Sequence, residues 1–453
     1  MKRIVSNLLY VLFFGFAITL MIACFMLFLT TANRSGSAYN NIEAIEISDS
    51  GKEEADYEPI DTQVYEYSAE NYRLVDVKSG YNALDTDVKR DLYDRIRESV
   101  YSVTNDADGN GRYRTSRIRI PGSKLSEFDI REVVNAYISD NPEIFWIENV
   151  FGYAYVEDNT IVEFYSVISS DECEKYIDRF NQRVDEILSA VGTGRTEYQR
   201  EKIVHDKLIS NCTYKTGVTT SSDGWQYFSA YGAIVEGEAV CEGYSKAVQL
   251  LMTRVGIVCS TVRGEADGVA HMWNVVEMNG EWYHLDATWD DNDDNINYEY
   301  FNVTTEDICS NHTISPGITE ISESQMAEEG NGIIRYNFFV PMCTSKDMNY
   351  YYAEGVLVQS FDSKLTDTLS AKIRETALVG DCYVPIRFGT EMTYNEYFTK
   401  MFNESPYEFY YCIECANDSL DDKHKIKTDG VSVLKNEAEG TLRVKISYQF
   451  EDD

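Results

Sequence analysis

A cysteine at the predicted start of a helix is the first feature of this sequence that could carry chemistry. After Cys241 the apolar residues recur at helical spacing as far as Val255, which predicts one buried helix face. In the first turn of a helix the backbone N–H groups lack partners, and the dipole favours a negative charge. These conditions stabilise a thiolate, the nucleophilic form of cysteine, and the same N–H groups could donate to an oxyanion. A buried cysteine that packs as a small hydrophobe is the alternative.

A predicted β-hairpin downstream supplies an imidazole and a carboxylate. Asn279-Gly280 separates two strand-like runs and is typical of a type I′ turn. A turn centred there pairs Trp273 with Asp286 and places His271 two positions along the same face, within side-chain reach of that aspartate. A cysteine delivered to this face would complete a Cys–His–Asp arrangement for nucleophilic catalysis.

A second histidine of the hairpin competes with the first on geometry alone. His284 falls on the same face, beside Val275. Strand pairing does not separate it from His271, so both remain candidates for the base at this point.

The residues around these candidates resemble the transglutaminase-like superfamily. The resemblance covers about residues 195–300 and rests on three motifs: GEAVCEGY at 237–244, AHMWN at 270–274 and WYHLDATW at 282–289. It implies a papain-like α+β core with Cys241 as nucleophile, His271 as base and acid, and Asp286 as the residue that orients His271. The sequence departs from the usual pattern at Met272 and Ala287, and neither departure removes a reacting group.

The activity implied by the resemblance is cysteine-dependent acyl transfer on peptide or protein amide bonds through a thioester. Members of the superfamily include cross-linkers and cysteine-peptidase-like amide hydrolases, so hydrolysis and cross-linking both stay open. The alternative is a non-catalytic surface binding module that retains the fold. No cofactor and no metal is predicted, and the second oxyanion donor stays open among Trp225, Gln226 and Tyr231.

The first segment of the chain predicts a membrane anchor. Lys2 and Arg3 precede an uncharged, mostly apolar run from Leu8 to Leu29. At ~1.5 Å per helical residue this run spans roughly 33 Å, enough to cross a bilayer core of ~30 Å. The flanking charges predict a single-pass cell-membrane protein with its C-terminal body outside the cytoplasm. A cleaved signal and a lipoprotein box at Cys24 are the alternatives.

Composition and charge restrict the partners. The chain has 453 residues, of which 43% are hydrophobic and 13% aromatic, and this excludes disordered and collagen-like chains. It carries 40 Lys+Arg against 76 Asp+Glu, a net charge of −36. Such a balance argues against binding to nucleic acid or to an anionic lipid surface. A peptide or protein substrate is the expected partner.

The length predicts several domains of an α+β protein. They are an anchor or signal at 1–32, an acidic, disordered tether at 33–75, a small α+β region at 78–170, the transglutaminase-like domain at 175–325 and a second α+β region at 330–453. In the last region the patterns predict strands at Tyr350–Gln359 and Tyr407–Cys412.

Four weaker signals favour structural roles. Residues 106–111 match the opening of a calcium loop, but Arg117 occupies its twelfth position, so a polar turn is expected. The acidic run 290–294 is interpreted as a solvated loop. Cys412 and Cys415 have metal-knuckle spacing without a second pair, which favours structural thiols or a disulfide. His205 is interpreted as a structural residue of a helix.

Overall fold

The computed structural model describes residues 42–47, 57–64, 72–220, 224–292, 295–317, 337–429 and 431–449. The chain forms two compact units that divide between Ser345 and Lys346. The predicted membrane segment, Leu8–Leu29, lies outside the described residues. Among the helices that are described, none combines the length and the apolar character needed to cross a bilayer. The expectation of a mixed α+β protein is confirmed.

The first unit begins with a mixed sheet whose order is β1-β6-β7-β4-β3-β2, with β5 also paired to β7. These strands are β1 Glu43–Glu46, β2 Tyr57–Pro59, β3 Ser102–Ala107, β4 Tyr113–Thr115, β5 Ile118–Ile120, β6 Ile147–Val156 and β7 Asn159–Ser166. The helices of this region are α1 Ser79–Ala83, α2 Asp87–Val100, α3 Glu127–Asp140 and α4 Ser170–Ser189.

Two strands of this sheet come from the segment predicted to be a disordered tether. β1 pairs parallel with β6, and β2 pairs antiparallel with β3. Ile42, Ile60 and Val64 are buried beside them. The prediction is therefore wrong for the described parts of 33–75. An open sheet edge offers unpaired backbone N–H and C=O groups, so a short strand can dock there with few apolar side chains despite its acidic composition.

The candidate chemistry lies in the second half of this unit. A four-stranded sheet has the order β12-β11-β10-β15, and its strands are β10 Val258–Ala266, β11 Val269–Met278, β12 Glu281–Leu285 and β15 His312–Ile314. Two short ladders accompany it: β8 Thr213–Tyr214 with β9 Glu238–Ala239, and β13 Asp291–Asn292 with β14 Asn295–Ile296. The helices are α5 Glu197–Asn211, α6 Cys241–Arg254, α7 Ala287–Asp290 and α8 Thr305–Ile308, with a 3-10 turn at Trp225–Phe228 and a π turn at Gly232–Glu236.

The second unit is a four-stranded sheet packed with helices around its own core. Its sheet order is β16-β17-β19-β18, with β16 Val356–Val358, β17 Tyr383–Phe388, β18 Ser432–Asn436 and β19 Thr441–Lys445. Its helices are α9 Tyr350–Ala353, α10 Ser363–Leu378, α11 Tyr394–Phe402 and α12 Glu408–Asn417.

Two strand predictions in this unit are wrong. The stretch Tyr350–Gln359 begins as the short helix α9, and only β16 is extended. The stretch Tyr407–Cys412 belongs mostly to helix α12. Phe409, Cys412 and Ile413 are buried there at helical spacing, so burial along one helix face outweighs the strand preference of the aromatic residues. Cys412 and Cys415 lie on this helix as free thiols.

Candidate active site

The hairpin that carries the candidate histidine and aspartate has the predicted register. Asn279 and Gly280 both adopt positive φ, at 52° and 82°, as a type I′ turn requires. β11 pairs with β12 so that Val275 lies opposite His284. This local prediction from the turn and the alternation is confirmed.

Cys241 is the first residue of helix α6. The preceding residue, Val240, is extended and makes no side-chain cap, so no side chain of the N-cap occupies the N–H groups of the first turn. Ser245 Oγ lies 2.8 Å from the carbonyl oxygens of both Cys241 and Met272. Asn274 Nδ2 donates to the carbonyl of Ser245 at 2.9 Å. These contacts fix the start of the helix against β11, the strand that carries the candidate base.

The structure brings His271 between the thiol and the carboxylate. His271 Nε2 lies 2.6 Å from Asp286 Oδ2, which leaves Nδ1 as the ring nitrogen that can take the proton of the Cys241 thiol. Burial disfavours the charged imidazole, but the charges of Asp286 and Cys241 outweigh it and hold the pKa of His271 well above its ordinary value.

Asp286 holds the other end of this arrangement. Its Oδ1 accepts from the backbone N–H groups of Thr288 and Trp289, at 3.0 and 3.2 Å, so the carboxylate also caps helix α7. Burial alone would raise the pKa of Asp286, yet the charge and hydrogen bond of His271 outweigh it and hold that pKa far below the usual range. Asp286 is therefore an ionised acceptor that orients the imidazole.

His284 does not join this arrangement. Its Nδ1 accepts from Trp273 Nε1 at 3.1 Å, and its Nε2 lies 3.2 Å from Thr305 Oγ1. Burial, with a smaller effect of the His312 charge, lowers the pKa of His284 to about 4. Both ring nitrogens of His284 have hydrogen-bonding partners outside the Cys–His–Asp arrangement. The geometry therefore favours His271 over His284 as the candidate base.

Two residues near the site were missed by sequence reasoning. His312 Nε2 lies 3.2 Å from Asp286 Oδ2, although His312 lies well beyond the three motifs in the sequence and gives no local signal. Tyr214 pairs in register with Ala239, two residues before Cys241. Burial first, and then the charges of Cys241 and Asp286, raise the pKa of Tyr214. Both neighbours arise from long-range strand pairing.

The candidates for a second oxyanion donor stay open. Tyr231 and Trp225 pack against each other and against Phe145 and Tyr176. No described contact of either ring reaches Cys241. Gln226 accepts through its backbone carbonyl from Ser229 Oγ at 2.8 Å.

The weaker sequence signals have structural explanations, with one correction. Asp108 Oδ1 accepts from the backbone N–H groups of Asn110 and Arg112, which makes the predicted polar turn. The interpretation of 290–294 as a solvated loop is wrong at Asp290, which is fully buried and accepts from the Tyr300 N–H at 2.9 Å. His205 lies 3.3 Å from Asp290 Oδ2, and the need of its buried imidazole for a partner explains why this aspartate turns inward.

Comparisons with known proteins identify the family of one part of the chain. Residues 185–287 match the family model of the Transglutaminase-like superfamily, so the chain contains a transglutaminase-like domain. A search of curated protein sequences gives no match.

Solved structures give partial similarities. A TGase shares 16% identity, with 38% of this chain and 50% of that one covered and a TM-score of 0.22. An inferred cysteine protease from Cytophaga hutchinsonii shares 13%, with 41% and 70% covered and a TM-score of 0.21. An inferred protease from Parabacteroides distasonis shares 7%, with 31% and 36% covered and a TM-score of 0.20. The chain thus spans half the length of the TGase and about a third of the Parabacteroides protein.

Proposed function

We propose that the transglutaminase-like domain of this chain catalyses cysteine-dependent acyl transfer on amide bonds of peptides or proteins. One arrangement carries the proposal: Ser245 fixes the helix that begins at Cys241 against strand β11. His271 of that strand lies 2.6 Å from Asp286 and has its pKa raised by the charges of Asp286 and Cys241. The thiol stands at the start of an α-helix, where backbone N–H groups favour a thiolate and can donate to an oxyanion.

The first half of the proposed reaction makes the acyl-enzyme. His271 holds the proton of the Cys241 thiol, and the thiolate sulfur attacks the amide carbonyl carbon to form a C–S bond. The carbonyl oxygen becomes an oxyanion, which the N–H groups of the first turn of helix α6 stabilise. When this intermediate collapses, the C–N bond breaks and His271 gives its proton to the leaving amine. A thioester on Cys241 remains.

The second half returns the enzyme to its starting state. Water or a second amine attacks the thioester carbon while His271 removes a proton from the attacking group. The C–S bond then breaks, and the proton held by His271 balances the released thiolate. Asp286 keeps the imidazole in the orientation that serves both halves. The proposal includes both acceptors, so the product is either a hydrolysed amide or a new cross-link.

The burial of the site favours a second candidate function. Cys241 is 1% exposed, His271 5% and Asp286 1%, so the described site is closed to an incoming amide. A non-catalytic binding module would keep such a site closed, and this is the alternative to catalysis.

We also propose that the domain acts outside the cytoplasm, anchored by the segment Leu8–Leu29. The support is the uncharged run and the positive residues that precede it. External protease applied to intact cells should degrade the C-terminal body and leave a cytosolic protein intact. Protection of the body would contradict this location.

The experiment for the proposed function offers both acceptors at once. The protein is incubated with a glutamine-containing peptide and a labelled primary amine, and the products are identified by mass spectrometry. Transfer of the amine indicates cross-linking, and gain of water indicates hydrolysis. Cys241→Ser should abolish either product, whereas Cys309→Ser, a change at an exposed cysteine, should leave it unchanged. No product, or product that survives Cys241→Ser, would favour the binding module.

A further inference from the structure

We propose that His312 is a positioning residue for this site: it donates an N–H hydrogen bond to the oxygen of Asp286 that His271 also uses. By sharing that oxygen, His312 limits how tightly Asp286 holds the His271 imidazolium. This inference rests on the proposed function, because it concerns the proton that His271 must give to the leaving amine.

The sheet brings His312 to the site across an intervening strand. β15 pairs with β10 so that His312 lies opposite Ala266, while Gly264 lies opposite His271 on the other side of β10. A Cβ at Gly264 would lie 2.0 Å from the Thr313 carbonyl oxygen and 2.8 Å from Cη2 of Trp273. Only glycine fits there without displacing a neighbour, so β10 presents its two smallest side chains between the histidines.

The imidazole of His312 is enclosed on this face of the sheet. Its side chain is fully buried, and its ring centroid lies 5.4 Å from that of His271, 5.1 Å from Trp273 and 4.8 Å from Trp289. A buried polar ring needs a hydrogen-bond partner for each nitrogen. Here Nε2 lies 3.2 Å from Asp286 Oδ2, and Nδ1 lies 2.6 Å from the side-chain oxygen of Asn311.

The direction of the contact with Asp286 follows from its ionisation. A carboxylate only accepts hydrogen bonds, so Nε2 of His312 must carry the hydrogen. Oδ1 of Asp286 is already used by two backbone N–H groups. Oδ2 is therefore shared by His271 at 2.6 Å and His312 at 3.2 Å.

The sharing of Oδ2 affects the second role of His271 in the proposed reaction, which is to release a proton to the leaving amine. If Asp286 Oδ2 accepted from His271 alone, it would hold the His271 imidazolium more tightly. The imidazolium would then be a weaker acid toward the leaving amine. Loss of His312 should therefore make His271 keep its proton to higher pH. The other titratable groups facing this cluster are Cys241, Tyr214, His284, Asp290 and Tyr300.

A metal site built from the same three side chains fits the distances less well. Ligand atoms of His271, Asp286 and His312 lie within 4.8 Å of one another. Tetrahedral ligands at ~2.0–2.2 Å from zinc are separated by about 3.3 Å or more, since two such bonds enclose a wide angle. The 2.6 Å contact between His271 Nε2 and Asp286 Oδ2 is a hydrogen bond and leaves no place for an ion between those atoms.

A matched pair of substitutions in the full-length protein tests the proposal. His312→Gln places its amide nitrogen near the position of Nε2 and can still donate to Asp286, whereas the shorter His312→Asn cannot reach. The protein has 5 histidines, so ring NMR of histidine-labelled protein can follow His271 alone through a pH titration. In His312→Asn the His271 midpoint should rise by about half a pH unit or more. In His312→Gln it should rise by less than half as much.

Turnover is measured on the same variants. With His312→Asn, kcat should fall about tenfold with KM nearly unchanged, and the alkaline limb of the pH profile should move to higher pH. Equal effects of Asn and Gln, or a midpoint that stays or falls, would overturn the positioning role even if the wild type is active. A shifted midpoint in a protein without turnover would instead refute the proposed function and leave the positioning intact. Activity lost on chelation and restored by zinc alone would favour the metal site and overturn the proposal.

Discussion

Two buried histidine–aspartate pairs stand at the two ends of the short helix α7, and they differ in what else they touch. At its start Asp286 accepts from His271, whose pKa the charge of Cys241 also raises. At its end Asp290 lies 3.3 Å from His205 Nε2. The second ring nitrogen of His205 lies 3.0 Å from Asp206 instead of a thiol.

The comparison shows that a buried His–Asp pair is not by itself a sign of catalysis. Both histidines have raised pKa values because nearby carboxylates outweigh the effect of burial. His205 lies between two carboxylates, so its proton stabilises the folded structure and is not transferred. His271 lies between a carboxylate and a candidate nucleophile, so its proton can be exchanged during the proposed reaction. The difference between the pairs is therefore the helix-start cysteine.

Exchanging the imidazoles for amides should separate the two roles most strongly. His271→Gln should reduce turnover by about 10³-fold or more, because no other group can take the thiol proton and return it. His205→Gln should leave most turnover per folded molecule but lower the free energy of unfolding by about 3 kcal/mol, since it leaves buried carboxylates unpaired. Steady-state rates and urea unfolding of both variants check this. Equal losses of turnover in His271→Gln and His205→Gln would contradict the division into a catalytic and a structural histidine.

Substitutions of the two aspartates, Asp286 and Asp290, should differ in the same way as those of the histidines, with a smaller effect on turnover. Asp286→Asn keeps the shape of the side chain but replaces one acceptor oxygen by an NH₂ group, so His271 loses its orienting charge. Turnover should fall by about 10²–10⁴-fold while the protein stays folded. Asp290→Asn is the matched control and should change turnover by less than about threefold. Rates measured at one pH with unfolding curves for each variant make the comparison.

Stability should depend on pH through the structural pair. Burial would lower the pKa of His205, but the hydrogen bond of Asp206 and the charge of Asp290, 3.3 Å away, outweigh it and raise that pKa to about 9. A histidine whose pKa is higher in the folded state stabilises the protein fully below its unfolded value of about 6.5, and this contribution is lost as pH rises through the folded value.

The wild type should therefore lose on the order of 1–3 kcal/mol more than His205→Gln between pH 6.5 and 9.5. Urea unfolding at the two pH values measures the difference. His424→Gln, a change at a surface histidine of the second unit, serves as the control and should follow the wild type. Parallel curves for wild type and His205→Gln would show that His205 carries no such proton.

The smallest effect is expected at the histidine that the hairpin pattern alone could not exclude. His284→Gln should change turnover by less than about threefold, because both of its ring nitrogens are used by Trp273 and Thr305 and an amide can replace much of that bonding. A loss as large as that of His271→Gln would reverse the assignment of the base. Parallel kinetics of the two variants decide between them.

The sequence reveals what is encoded locally. The Asn279-Gly280 turn and the alternation around it fix the register of β11 and β12, and apolar spacing fixes the helix that begins at Cys241. Pairing between distant segments was not predicted. This includes His312 beside Asp286, the edge strand β1 from an acidic segment, and the inward turn of Asp290 toward His205. Each depends on a partner far along the chain that no local pattern specifies.

The central claim is that the Cys241 sulfur carries an acyl group during turnover. The direct measurement is an acid quench after mixing with a peptide amide substrate, followed by peptide mapping of the protein by mass spectrometry. The account predicts an acyl mass on Cys241 that hydroxylamine removes, that accumulates in the first turnover, and that is missing in His271→Gln. An acyl group on another residue, or product formed with Cys241 unmodified throughout, would contradict it.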